Sequence, residues 1–187
     1  QAWYSIMHEE LASKLPYEAV KKEMYGKNHE VLERVFGKNK FSLAEMEKLS
    51  VEKEKRYQDG YRPHLALLNG LADFLKKAQS ANILMAIGSA AIPINIDFII
   101  DGLNIRDYFA AIVSADDVET SKPDPETFLR AASLLGVLPQ NCIVFEDAPK
   151  GVEAALNAGM NCIVLTTTHL KAEFDTYPNI IGFINDY

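Results

Sequence analysis

Four short apolar runs constrain the fold of this chain more than any other feature: ILMAIG at 83–88, AIVS at 111–114, CIVF at 142–145 and CIVL at 162–165. Each is rich in β-branched residues, and each is separated from the next by a stretch of helical character. Short β-branched runs alternating with helices are the signature of βαβ units in a parallel sheet covered on both faces. The expected fold class is therefore α/β, a doubly wound parallel sheet over 61–187, with helices near 70–79, 93–101, 125–135 and 149–158. Pro125 and Pro149 suit the first turns of the last two helices.

The N-terminal part is different. Residues 1–60 hold no convincing strand and are broken at Pro16, at Gly26 and at 37–40, which predicts four helices. Gly26 and Gly37 suit positions just past helix ends, and Ser42 with Glu45 has capping-box spacing. The last of these helices, from Ser42 to about Gln58, is heavily charged and is expected at the surface. With 187 residues and 48% apolar composition, the chain can bury one substantial core with a small helical domain beside it.

A net charge of −7 with no Lys/Arg run argues against a nucleic-acid or anionic-membrane surface. No apolar stretch approaches the roughly 18 residues of a membrane span, and no basic segment leads into an apolar signal core, so the expected location is the cytoplasm. Cys142 and Cys162 each open an apolar run, as reduced core thiols do, and have no metal-type spacing. An acidic protein of this kind must bind any phosphate locally.

In open parallel sheets, ligands bind beyond the carboxyl ends of the strands. The first run ends at Ser89-Ala90, a small hydroxyl and backbone amides at an expected helix start; an N-cap and an anion site are both open readings of it. The second run is followed by Thr120-Ser121-Lys122-Pro123-Asp124-Pro125, where two prolines restrict the backbone around Lys122 and aim its ammonium, as a phosphate partner requires. The third ends at Glu146-Asp147. Adjacent carboxylates at a strand tip repel one another unless a cation or donors compensate, and Mg²⁺ typically takes one or two carboxylates together with substrate phosphate. A plain helix cap by Asp147 is the alternative.

These motifs, in this order and spacing, resemble those of the haloacid dehalogenase superfamily, in its branch with a helical cap near the β-phosphoglucomutases. Ser89 is similar to that family's second motif, and Lys122 with Pro123 to its third. Glu146-Asp147, with Gly151 and Ala158-Gly159, is similar to its fourth, while Ala2-Trp3 resembles the first cap helix and Glu23-Met24-Tyr25-Gly26 the cap loop. The resemblance implies a cap over 1–60, a core over 61–187, and Mg²⁺-dependent phosphoryl transfer through an aspartyl-phosphate. Ser89 and Lys122 would be catalytic, and Glu146 and Asp147 would hold the metal.

It also implies that the nucleophilic aspartate, and the acid/base aspartate two residues later, lie on a strand and loop upstream of Gln1. That strand would be central in the sheet, and residues 1–187 alone would be inactive. Substrate contacts would come from Ala90 and from Lys27, Asn28 and His29, where the mutases carry an arginine. Ala91, Ile92 and Pro93 stand where the mutases place a lysine and an asparagine. A phosphatase acting on a small phosphorylated metabolite, of the sugar-phosphate kind, is thus as much implied as a mutase, and a monomer is expected. A response-regulator receiver is excluded by order, because its acidic cluster precedes its hydroxyl and lysine. A noncatalytic phosphate-binding or interaction module with the same fold stays open; an Asp-x-Asp upstream would decide for the enzyme.

Overall fold

The computed structural model describes residues 2–24 and 28–187. They divide into two compact units, Gln1–Leu65 and Ala66–Tyr187.

The first unit is helical: α1 (Ala2–Glu9), α2 (Tyr17–Lys22), α3 (Asn28–Phe36) and α4 (Leu43–Tyr61). Trp3, Ile6 and Met7 share one face of α1 by helical spacing and pack with Val20, Val31 and Leu32 into a core. Gly37, at φ 94°, closes α3. Ser42 and Glu45 form the expected capping box at the start of α4. Arg56 of α4 clasps Glu9 at the end of α1, Glu10 just beyond it, and Glu52 of its own helix. The unit extends past the expected boundary at 60 because α4 continues to Tyr61 and a 3₁₀ turn, Arg62–His64, follows it. α4 is not wholly a surface helix: Glu54 is only 4% exposed and is paired with Lys53 and with the Asn28 amide at 2.8 Å. Gly26, expected to close α2, lies outside the described residues.

The second unit alternates strand and helix: α5 (Leu71–Ser80), β1 (Ala86–Gly88), α6 (Pro93–Gly102), β2 (Ala111–Val113), α7 (Glu126–Leu135), β3 (Ile143–Glu146), α8 (Pro149–Asn157), β4 (Asn161–Leu165) and β5 (Ile180–Ile184). All pairings are parallel. The expected single sheet is divided: β1 pairs with β2, β4 lies between β3 and β5, and no pairing joins β1 to β3 among the described residues. Phe128, Val144, Val152, Ala155, Cys162, Val164 and Phe174 form the largest core, in which α8 lies on β3 and β4. Ile96, Ile100 and Leu75 form a second core with partly buried residues around β1. The last residue of the chain folds back, its N–H donating to the Asn69 carbonyl at 2.9 Å and its ring packing on Phe74 and Phe145. No described helix is long and apolar enough to cross a membrane.

Candidate functional site

The carboxyl ends of β1 and β3 converge on one ammonium. Lys122 donates to the Gly88 carbonyl at the end of β1 at 3.3 Å and pairs with Glu146 Oε1 at the end of β3. Its Nζ also lies 4.3 Å from the centre of the Phe128 ring. The two charged side chains are only 14% and 11% exposed. Burying an ion pair is unfavourable unless its remaining valences are met. On the carboxylate they are: Glu146 Oε2 accepts the N–H groups of Asp147 and Ala148 at 2.9 and 3.2 Å, at the entry to α8, where the helix dipole favours negative charge.

Gly151, in the first turn of α8, makes this seat possible. A Cβ at that position would lie 1.9 Å from Glu146 Oε1 and 2.0 Å from Cδ, so the carboxylate occupies the space a side chain would need.

The loop that carries Lys122 is fixed by more than its prolines. Glu126 accepts the N–H groups of Glu119 and Thr120, both at 2.9 Å, and Asp124 accepts the N–H of Glu126. From the end of α8, the Asn157 amide donates to the Pro123 carbonyl at 3.0 Å. Lys122 is thus aimed before any ligand arrives.

Asp147 sits beside Glu146. The hydroxyl of Thr168, in the loop after β4, is 3.0 Å from both its carbonyl and its Oδ2. Its Oδ1 has no partner among the described residues. Thr168, Asn157 and Phe128 escaped the sequence reading. The signal for Thr168 was the unread end of the fourth apolar run, Thr166-Thr167-Thr168, which falls at the same sheet edge as the other three.

Ser89 does not stand at a helix start as expected. Its N–H continues the sheet to the Val113 carbonyl and its Oγ accepts the Ala91 N–H at 3.0 Å, while α6 begins only at Pro93. Proline at the first helical position sets that start. Ala90, between them, is exposed. In the helical unit, Asn28 gives its amide to Glu54, His29 is exposed, and Lys27 lies outside the described residues.

Cys162 lies in the core beneath this edge; burial first, and then the charge of Glu146, pushes its thiol up to about 12. Burial also raises Cys142. Both are free thiols, and at neutral pH neither is a thiolate nucleophile.

Residues 1–165 match the haloacid dehalogenase-like hydrolases, and the chain belongs to that family. A chloroplastic 5-amino-6-(5-phospho-D-ribitylamino)uracil phosphatase of Arabidopsis thaliana is 27% identical over 169 residues, which is 90% of this chain and 45% of that protein. A fructose-1-phosphate phosphatase of Escherichia coli is 43% identical over 79 residues, 42% of each chain. The crystal structure of a β-phosphoglucomutase from Clostridium difficile superposes with a TM-score of 0.80 at 26% identity, covering 99% of this chain and 82% of that one. The chain spans less than half the length of these curated relatives.

Proposed function

We propose that the protein is a Mg²⁺-dependent phosphatase of a small phosphorylated metabolite, a sugar phosphate or a compound of similar size, working in the cytoplasm as a monomer. The observation that carries this reading is the buried Lys122–Glu146 pair, with Asp147 beside it, at the carboxyl ends of two strands that do not pair with each other.

Lys122 neutralises charge on the phosphoryl group, where preorganised electrostatics is usually the largest catalytic contribution. Ser89, at the end of β1, and the exposed backbone at Ala90 hold the phosphate oxygens. Glu146 and Asp147 fit a hard cation: both offer carboxylate oxygen, and Asp147 keeps one oxygen free of described partners. Among the described residues no third His, Cys, Asp or Glu joins them, so further oxygen donors belong to substrate, water and another segment. When bound, such a cation lends Lewis-acid polarisation of the phosphoryl oxygens.

The nucleophile belongs to a strand lying between β1 and β3, upstream of Gln1, whose aspartate attacks phosphorus as the alcohol leaves; water then releases phosphate from the aspartyl-phosphate. The divided sheet supports this reading, since both facing strand edges leave backbone groups without strand partners.

Hydrolysis is favoured over mutase chemistry by the residues at the expected distal-phosphate contacts. Asn28 is engaged with Glu54 inside the helical unit, and Ala91-Ile92-Pro93 carries no charge. A bidentate grip on a second phosphate needs the planar fork of an arginine. In the protein with its upstream strand, phosphate release from small phosphomonoesters should equal or exceed the interconversion of β-glucose 1-phosphate and glucose 6-phosphate. Efficient interconversion with no phosphate release would overturn the phosphatase assignment in favour of a mutase.

A further inference from the structure

We propose that Phe128 is a positioning residue for Lys122: the face of its ring carries the ammonium and aims it at phosphate. This rests on the reading of Lys122 as a phosphate ligand.

An ammonium has three N–H donors and no acceptor. Glu146 and the Gly88 carbonyl each engage one. A phosphate arriving beside Lys122 competes with Glu146 for the same charge, so the ion pair that orders the lysine in the free protein is weakened when the lysine is needed. The contact with Phe128, 4.3 Å from Nζ to the ring centre, is of another kind. The ring attracts the cation through its quadrupole and takes up no donor. It can therefore hold the ammonium with or without phosphate bound.

The ring is itself held. Phe128 lies in the first turn of α7, is 7% exposed, and belongs to the core with Val144 and Val152. It also lies directly against the end of β1: a Cβ at Gly88 would come within 3.2 and 3.3 Å of two ring carbons and 3.1 Å of the Thr127 methyl. The absence of a side chain at Gly88 lets the ring and the Gly88 carbonyl meet around one ammonium. Core filling alone does not call for a ring here, because an apolar residue of similar size would satisfy it.

The test compares Phe128→Leu and Phe128→Tyr, each made alone and in a Lys122→Met background, in the whole protein. The probe is inorganic phosphate, titrated calorimetrically, with thermal unfolding followed for every variant. Phe128→Leu should weaken phosphate binding about tenfold, while Phe128→Tyr, which keeps the ring, should stay within about twofold of the parent. In the Lys122→Met background, Phe128→Leu should change nothing further, the non-additivity of two residues acting through one contact. Equal weakening by Phe128→Leu in both backgrounds would mean a packing role only and would overturn the proposal, as would unaltered binding by Phe128→Leu alone. If Phe128→Leu does not melt cooperatively, Phe128→Met replaces it under the same expectations. A Lys122→Met protein that binds phosphate as tightly as the parent would instead remove Lys122 from the phosphate site, and the proposed function would fail at that point.

Discussion

Replacing Lys122 with alanine should lower turnover of a small phosphomonoester by roughly 10²-fold or more at saturating substrate and Mg²⁺. The size of the effect follows from where the lysine sits. Its ammonium is the charge on which the ends of β1 and β3 converge, in a site shielded enough that water screens it poorly. Charge developing on the transferring phosphoryl group would then be met by the metal ion and neutral donors, without the ammonium. Part of the effect should appear as lost stability, since Glu146 would keep its two backbone N–H groups but lose its counter-ion. Turnover measured well below the melting temperature separates the two. Lys122→Arg should recover little, because a longer planar guanidinium cannot place one nitrogen where the ammonium meets both the Gly88 carbonyl and Glu146. Near-normal turnover in Lys122→Ala would show that phosphate is held elsewhere.

The second large effect is expected at a residue that touches no phosphate. Gly151→Ala should raise the Mg²⁺ concentration needed for half-maximal activity by about 10 to 100-fold, the usual consequence of losing a group that orients a metal ligand. A methyl group there would lie 1.9 Å from Glu146 Oε1. The backbone of α8 cannot yield easily, because Val152, Ala154 and Ala155 are buried on the same helix. The carboxylate at the end of a flexible side chain will move instead. Moving it breaks the pair with Lys122 and both N–H contacts at once. Thermal stability should fall less than activity, since an evicted carboxylate can find water. A Mg²⁺ titration in Gly151→Ala that overlays the parent curve would show that Glu146 does not have to sit where it is seen.

Much of this was legible in the sequence, for physical reasons. The β-branched runs could hardly be anything but strands, and the Ser42 to Glu45 spacing forms the capping box it suggests. Lys122, Glu146 and Asp147 stood out because a cation bracketed by prolines and an acidic pair follow strand ends, where adjacent carboxylates repel unless a cation or donors compensate; the fold brings Lys122 and Glu146 together. β5 was not legible. Its pairing with β4 shifts register between Cys162 and Ile163, so that Cys162 faces Ile180 while Ile163 faces Gly182. Ile181 falls at the bulge and is 56% exposed; the run Ile180-Ile181-Gly182-Phe183-Ile184 is itself apolar, interrupted only by Gly182. The first run proved longer than its strand, because Ile83 and Leu84 are exposed and pairing begins only at Ala86.

Composition could not tell which acid on α4 would be buried. Glu54 is singled out only when Asn28, on another helix, reaches it. The same holds for Thr168 and Asn157: each acts on a site residue more than 20 positions away, at |i−j| of 21 and 34. A single sequence carries no pairing information over that separation. Phe128 was visible as an apolar helix residue, and only the fold places its face against Lys122.

The most direct test of a phosphoryl-transfer site completed by a strand between β1 and β3 is a side-by-side measurement of Mg²⁺-dependent phosphate release. Residues 1–187 are compared with the same residues preceded by their native upstream segment, and cooperative melting is followed in parallel. The extended protein should release phosphate only with Mg²⁺ and should melt in one sharp transition, while residues 1–187 alone should release none and melt broadly, for want of a central strand of about 5 to 6 residues. Mg²⁺-dependent release by residues 1–187 alone would contradict this, because the nucleophile would then have to be a residue already within the chain.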